Sequence, residues 1–186
     1  MKKRFFLIRW LLLLVGTIRM IVASKKVEPE TPKKIKVSVL KVSGPVDLTF
    51  TSSGDEITPY EYDGCDFELG VGDVITFCSR ESDYDNPATR FWVIMPNFGI
   101  SRAHLTMFAT DDGRIVIADE HLAMNRMRVD GDLMDSNRIL SPGEHVFKFT
   151  CLDQEYFEEG DPRIKDGEWF KTVRLDDLVI NVTVAA

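Results

Sequence analysis

Short apolar runs separated by turn residues follow one another along the chain after residue 34. Their lengths, and the alternation within several of them, fit β-strands, because successive side chains of a strand point to opposite faces. No stretch keeps a helical period, and in the one candidate, 120–128, we expect a loop or a single turn. The runs are 35–42, 46–50, 67–69, 74–78, 91–95, 105–108, 114–118, 127–129, 145–151 and 178–184. Ten such runs in about 150 residues predict an all-β, two-sheet β-sandwich.

The last run alternates most regularly. Its even-numbered positions are apolar, which predicts a buried face and turns Asn181 outward. The segment Asn181-Val182-Thr183 is an N-x-Thr sequon, so in a secretory pathway Asn181 is a candidate glycosylation site.

The stretch 152–171 is the longest one after residue 34 without a clear strand pattern, and it carries seven acidic residues. Long connections in compact domains are often binding loops. No residue spacing here defines a site, so we expect a solvated, charged loop.

The first 24 residues contain no acidic side chain, and a basic start precedes an apolar stretch. This pattern predicts a secretory signal segment at 1–24, a polar linker at 25–34 and a single β-sandwich domain at 35–186. An uncleaved anchor, a mitochondrial presequence and a membrane helix are the alternatives, although Arg9 and Arg19 are costly in a bilayer. The expected location is therefore secreted or extracellular, with membrane anchorage as the alternative.

The composition limits the choice of partners. With 186 residues, 44% of them hydrophobic, the chain can build one core of ordinary domain size. Removing residues 1–24 removes five basic residues and no acidic ones, which lowers the formal net charge from −7 to −12. An acidic domain is poorly suited to nucleic acid or anionic membrane, so membrane contact is expected only through an uncleaved anchor.

The chain contains three cysteines, Cys65, Cys78 and Cys151. In an oxidising compartment an odd number allows one bridge and leaves one thiol. Cys78 and Cys151 lie in strand-like runs, whereas Cys65 lies in a polar segment, which favours Cys78 with Cys151. The alternative is that all three are ordinary buried thiols.

The order of Cys78, Trp92 and Cys151 resembles that of the immunoglobulin superfamily, in which a disulfide joins two sheets across a buried tryptophan. The resemblance covers roughly residues 35–184. It implies a disulfide between Cys78 and Cys151 and an extracellular binding or adhesion module. Ile75 and Phe77 alternate with Cys78, so the three can all face the core only if a bulge intervenes.

A second resemblance is to the forkhead-associated family, a β-sandwich whose loops bind phosphothreonine. The segment Ser101-Arg102-Ala103-His104 resembles that family's Ser-Arg-x-His, and Ser79-Arg80 stands where a Gly-Arg pair is expected. The resemblance implies that Arg80 and Ser101 contact phosphate, that His104 braces the loop and that Asn125 holds peptide backbone. The implied phosphopeptide site consists of Arg80, Ser101, Arg102 and Asn125.

Catalytic motifs are missing from the sequence. No two histidines have the spacing of a metal pair, and no nucleophile elbow, phosphate loop or Cys-x-x-Cys occurs. We therefore expect no enzyme, no cofactor and no metal. Carboxylates in the segments 83–86, 111–112 and 130–132 leave calcium as an alternative, although aspartates that form turns explain them equally.

Together these features predict a non-enzymatic module that recognises an extracellular or cell-surface protein. The alternative is a forkhead-associated-like domain that binds phosphothreonine peptides. An accessory or structural domain is the third possibility.

Overall fold

The computed structural model of the protein describes residues 34–52, 55–57, 62–80, 87–119, 125–164 and 169–186. The predicted signal segment at 1–24 and all of the predicted linker except Lys34 lie outside these residues. Within the described ranges, no helix has the length and apolar character needed to cross a bilayer. The described residues form fifteen strands: β1 (Ile35–Ser43), β2 (Thr49–Ser52), β3 (Asp55–Ile57), β4 (Gly64–Leu69), β5 (Val74–Cys78), β6 (Thr89–Ile94), β7 (Leu105–Ala109), β8 (Ile115–Asp119), β9 (Arg128–Val129), β10 (Asp132–Leu133), β11 (Arg138–Leu140), β12 (Gly143–Phe149), β13 (Leu152–Tyr156), β14 (Phe170–Arg174) and β15 (Leu178–Val184).

Two large sheets contain most of these strands. One has six strands in the order β10-β9-β12-β15-β1-β4, and the other has seven in the order β11-β8-β7-β5-β6-β2-β3. The pairing of β5 with β6 is parallel. A separate two-stranded sheet, β13-β14, lies within the connection from β12 to β15. The prediction of an all-β chain with two principal sheets is confirmed.

Alternation along the strands builds the core between the two sheets. In β15 the residues Leu178, Ile180, Val182 and Val184 are buried, while those between them are only half-buried. Asn181 therefore lies on the outer face of its sheet, as the pattern predicts. Glycosylation of Asn181 stays a prediction.

Phenylalanine rings from the two sheets meet in this core. The Phe77 ring of β5 lies 5.8 Å from the Phe147 ring and 6.0 Å from the Phe149 ring, both on β12. The Phe67 ring of β4 lies 5.1 Å from the Phe91 ring of β6. Tilted and offset ring pairs at these separations add stabilisation beyond the apolar area that they bury.

The predicted disulfide between Cys78 and Cys151 is wrong, because both residues are free cysteines. β5 runs without a bulge from Ile75 to Cys78 against β6 and from Val74 to Phe77 against β7. Ile75 and Phe77 belong to the core cluster, so Cys78, one residue further on, points to the other face of the sheet. Cys151 belongs to the core cluster. The two thiols therefore lie on opposite sides of the seven-stranded sheet.

Trp92 does not occupy the position that the immunoglobulin resemblance implies. Phe91 and Val93, its neighbours in β6, pack in or against the core, while Trp92 is half-buried on the outer face. Its register partner on β5 is Thr76. The tryptophan thus lies outside the space between the two sheets.

The expectation of a solvated, charged loop at 152–171 is wrong for the two ends of this region, which are strands. This region contributes the hairpin of β13 and β14, which pair from Leu152 with Arg174 to Tyr156 with Phe170. Two of its carboxylates form ion pairs, Glu155 with Lys171 at 2.8 Å and Asp161 with Arg163 at 2.7 Å. In the other uncertain segment, 120–128, residues 120–124 lie outside the described part of the chain and Arg128 begins β9.

An ion pair between the buried His145 and the exposed Asp130 fixes the turn between β9 and β10. The His145 ring places Nδ1 2.8 Å from Asp130 Oδ2 and Nε2 2.8 Å from the Ser141 carbonyl oxygen. Both ring nitrogens face acceptors, which favours the imidazolium form. Burial lowers the pKa of His145, but the hydrogen bonds to Asp130 and Ser141 and the Asp130 charge outweigh it, so the pKa is raised.

We expect the protein to contain three thiols and no bridge. Alkylation of the denatured protein should modify three cysteines whether or not a reductant is present, because Cys78 and Cys151 are separated by a sheet. Mass spectrometry of the alkylated protein measures the number. Recovery of a single alkylated cysteine without reductant would contradict the structure.

The His145 pair should stabilise the fold at low pH. A raised folded-state pKa means that its contribution is complete below the ordinary value of about 6.5 and is lost as pH rises through the folded-state pKa. The substitution His145→Gln should therefore lower the free energy of unfolding more at pH 5.5 than at pH 8.5, as measured by urea denaturation. Comparing variant and wild type at each pH cancels the contributions of other titrating groups. A cost that grows with pH would exclude this role.

Candidate functional site

Backbone hydrogen bonds join the end of β5 to the loop between β6 and β7. The Ser79 amide donates to the Ser101 carbonyl at 3.0 Å, and the His104 amide donates to the Phe77 carbonyl at 3.0 Å. These bonds continue the hydrogen bonding between β5 and β7 past the ends of the two strands. Arg80 therefore follows directly on a residue that is bonded to Ser101.

A third loop reaches the same end of the sandwich. The Asn125 side chain, in the connection from β8 to β9, donates through Nδ2 to the Gly99 carbonyl at 2.9 Å. Gly99 lies two residues before Ser101. The structure thus brings all four predicted phosphopeptide residues, Arg80, Ser101, Arg102 and Asn125, to loops that are bonded to one another at one end of the fold.

These side chains differ in exposure. Arg80 and Arg102 are exposed, whereas Ser101 and Asn125 are half-buried. Arg80 has no ion-pair partner among the residues that the structure describes. Two guanidinium groups, a hydroxyl and an amide in adjoining loops are donors suited to a phosphate or carboxylate.

His104 supports this arrangement from the core. It is 1% exposed, its Nδ1 accepts a hydrogen bond from the Ser101 amide at 3.1 Å, and its ring lies 5.3 Å from that of Phe149. Burial lowers the pKa of His104 to about 4, against smaller opposing effects of the Asp119 charge and the Asn125 backbone. The ring is therefore neutral near pH 7, with its acceptor nitrogen towards Ser101, and it occupies the bracing position that the second resemblance implies.

The same geometry places the hydrogen of His104 on Nε2, because Nδ1 is the acceptor. Nε2 is buried and makes no well-formed hydrogen bond to the described residues, and the Asn125 backbone only weakly opposes the fall in the pKa of the ring. An unpaired buried donor costs stability, and protonation of Nδ1 would add a buried charge and break the bond to Ser101.

Asn97 fixes the loop between β6 and β7 to the start of β13. Sequence reasoning missed this residue. Its Oδ1 accepts hydrogen bonds from the Gly99 amide at 2.8 Å and the Leu152 amide at 3.0 Å, and its Nδ2 donates to the Leu152 carbonyl at 3.0 Å. The signal was present, since the segment Pro96-Asn97-Phe98-Gly99 contains the residues of an Asx turn. Asn97 thus attaches the Ser101 loop to the base of the β13–β14 hairpin.

Residue 99 must be glycine, because the loop between β6 and β7 lies very close to the backbone of residues 150–152. A β-carbon at this position would lie 2.8 Å from the Thr150 carbonyl oxygen and 2.9 Å from the Leu152 backbone nitrogen. Backbone atoms cannot move aside as the end of a side chain can. The loop and the hairpin therefore pack together only when residue 99 has no side chain.

The site departs in two places from the forkhead-associated pattern. Ser79 stands where that family has glycine before the arginine, and Arg126-Met127 stand where it has Gly-Thr after the asparagine. Met127 is buried in the core, while Arg126 is exposed.

Metal binding finds no support in the described part of the chain. No group of three or more His, Cys, Asp or Glu side chains there is arranged to hold a metal ion. The candidate calcium segment 83–86 lies outside the described residues. In the other two segments, Asp112 pairs with Arg114 at 2.6 Å and Asp130 pairs with His145, so these carboxylates stabilise turns.

Comparison with solved structures matches the chain to forkhead-associated (FHA) domains. The FHA domain of the CT664 protein from Chlamydia trachomatis has 13% identity and a TM-score of 0.42, covering 81% of this chain and 97% of that one. An engineered FHA domain with a Myc-pTBD peptide has 15% identity and a TM-score of 0.44, with 82% and 92% covered. The N-terminal FHA domain of Rad53p from S. cerevisiae, in complex with a phosphothreonine peptide, has 15% identity and a TM-score of 0.38, with 74% and 92% covered. No protein-family model matches the sequence, and no curated protein matches it.

The immunoglobulin-like prediction is wrong, because its two marker residues, Cys78 and Trp92, are not part of the core between the sheets. Cys78 and Trp92, on which that resemblance depended, both lie on the outer face of the seven-stranded sheet, so neither the disulfide nor the buried tryptophan of an immunoglobulin domain is present.

The substitution Gly99→Ala should destabilise the fold, because the new methyl group meets two backbone atoms. Overpacking of this kind costs about 1–3 kcal/mol. The matched control is Gly70→Ala, whose β-carbon would meet only the Asp73 side chain, at 3.4 Å. Urea unfolding measures both variants. Equal midpoints for the two would show that the loop tolerates a side chain at residue 99.

Proposed function

We propose that this protein binds phosphothreonine-containing peptides through the loops that carry Arg80, Ser101, Arg102 and Asn125. The observation that carries the proposal is the hydrogen bond from the Ser79 amide to the Ser101 carbonyl, at 3.0 Å. It holds the Arg80 cation and the Ser101 hydroxyl in adjacent strands of the loop region. A phosphate group needs such a pairing of a cation with a neutral donor.

Each residue has a distinct role in this proposal. The Arg80 guanidinium and the Ser101 hydroxyl bind the phosphate oxygens, and Arg102 adds positive charge from the same loop. Asn125 binds the peptide backbone, because its Nδ2 is oriented by the Gly99 carbonyl while its Oδ1 remains an acceptor for a peptide amide. His104 is a positioning residue that fixes the Ser101 amide.

The electrostatics support an anionic ligand. The chain has a formal net charge of −7, yet these loops present Arg80, Arg102 and Arg126 on their surface. A phosphorylated side chain carries close to two negative charges at pH 7 and three acceptor oxygens. The proposed activity is binding without catalysis. A phosphothreonine peptide is also the partner in the Rad53p structure.

The pKa of His104, about 4, has a consequence for pH dependence. The brace on Ser101 stays neutral through the range in which a phosphate monoester gains its second charge, near pH 6. Binding should therefore strengthen from pH 5 to pH 7 as the ligand ionises, with no opposing change at His104.

The substitution Arg80→Ala should weaken binding of phosphothreonine peptides by tenfold or more, because it removes the charge-assisted hydrogen bonds to phosphate. Titration calorimetry, with peptides selected from a degenerate phosphothreonine library, measures the effect. Arg80→Lys should restore part of the affinity, since lysine supplies the charge without the planar pair of donors.

The matched control is Arg114→Ala, which removes an exposed arginine from the turn between β7 and β8, at the opposite end of the fold. It should leave the affinity unchanged. The proposal is wrong if no phosphothreonine peptide binds, or if unphosphorylated peptides bind equally well.

A further inference from the structure

The hairpin of β13 and β14 carries exposed aromatic side chains beside the proposed phosphate site. Five aromatic residues of the described chain are among its exposed large hydrophobics, and all but Tyr62 lie on this hairpin or on the loop that it contacts. The four are Phe98 (48% exposed), Tyr156 (68%), Trp169 (50%) and Phe170 (39%). A cluster of exposed aromatic side chains is typical of an interaction site, whereas apolar side chains that are exposed singly are not.

The hairpin and the Ser101 loop form one continuous piece of structure. Asn97, in that loop, exchanges hydrogen bonds with both the amide and the carbonyl of Leu152, the first residue of β13. Gly99 packs against Leu152 so closely that it has no room for a side chain. The direction of the hairpin relative to Ser101 is therefore set by backbone contacts.

Side-chain alternation decides which face of the hairpin adjoins this loop. Leu152 directs its side chain towards Gly99, since its Cγ lies 2.9 Å from the position of a β-carbon there. Gln154 and Tyr156 share the face of Leu152, because they follow at intervals of two residues. Phe170 pairs with Tyr156 across the hairpin, and their ring centroids are 5.7 Å apart. The Tyr156–Phe170 pair thus lies on the face that adjoins the loop.

The hairpin holds these rings in place through its own polar contacts. The Tyr156 hydroxyl donates to Gln154 Oε1 at 2.7 Å, and Lys171 pairs with Glu155 at 2.8 Å on the opposite face. Arg163 binds Asp161 Oδ2 at 2.7 Å and lies 4.5 Å from the centre of the Phe157 ring. The described side chains Glu155, Lys171, Asp161 and Arg163 are thus paired within the hairpin, and the Tyr156–Phe170 ring pair is exposed beside them.

We propose that the Tyr156–Phe170 face binds an apolar side chain of the same phosphothreonine peptide, and so determines which peptides are selected. This inference rests on the proposed function. Tyr156 lies about 13 Å along the strand from Leu152, which is the span of four extended residues. The apolar side chain is therefore expected at least four residues away from the phosphothreonine, with Phe98 contacting the segment between them.

We assign the phosphothreonine peptide itself to the aromatic face, because this face adjoins the proposed phosphate site. A peptide anchored at Ser101 and Arg80 extends over a neighbouring surface, and the loop contacts place the aromatic face there. Aromatic side chains of low conformational entropy are favoured anchors for apolar groups in such interfaces.

The test compares three phosphothreonine peptides: a short one that ends within two residues of the phosphothreonine, and two long ones with leucine or with serine at the distal positions. We expect the wild-type protein to bind the leucine peptide about tenfold more tightly than the serine peptide. The double substitution Tyr156→Ser with Phe170→Ser should abolish this preference while leaving the short peptide bound with wild-type affinity.

The matched control is Ile139→Ser, which removes an exposed apolar side chain from the edge strand β11. It should keep the preference for leucine. Binding of all three peptides without preference, or a preference that survives in the double variant, would overturn the inference and leave the proposed function intact. If no phosphothreonine peptide binds the wild type, the proposed function fails and the inference with it. Retained binding of the short peptide shows that the double variant is folded.

Discussion

The inward packing of Phe77 is the constraint on which both the sandwich and its candidate site depend. The Phe77 ring lies against the Phe147 and Phe149 rings of the opposite sheet. Its carbonyl accepts the hydrogen bond from the His104 amide, and the His104 ring packs edge-on against Phe149. The core of the domain therefore continues without interruption into the loop that carries Ser101.

The same packing explains the state of the cysteines. Once Phe77 faces the opposite sheet, strand geometry turns Cys78 to the outer face, whereas Cys151 remains between the sheets. A spacing that resembles an inter-sheet disulfide is then a coincidence of position along the chain. Whether Cys78 faces the core depends on which alternate residues of β5 point inward, because shifting a strand by one residue exchanges its two faces.

A second consequence concerns how the candidate site is kept rigid. The loop that carries Ser101 is held from three directions: by β5 through Ser79, by the connection from β8 to β9 through Asn125, and by the base of the hairpin through Asn97. A binding loop fixed in this way loses little conformational entropy when it binds a ligand. The neutral, buried His104 stabilises this geometry without adding charge beside the proposed phosphate site.

The sequence by itself determined the all-β class and several strands. The run 74–78 coincides with β5 and the run 178–184 coincides with β15, because alternation and β-branched residues act locally. It also identified Arg80, Ser101, Arg102 and Asn125 as a candidate set, through the resemblance of several short segments to the forkhead-associated family. Only the tertiary structure overturned the immunoglobulin resemblance, since that resemblance depends on which face of β5 is buried. Only the tertiary structure, too, revealed how Asn97 and Gly99 act, because both contact Leu152, more than fifty residues further along the chain. It also revealed the β13–β14 hairpin, whose strands pair across an intervening segment.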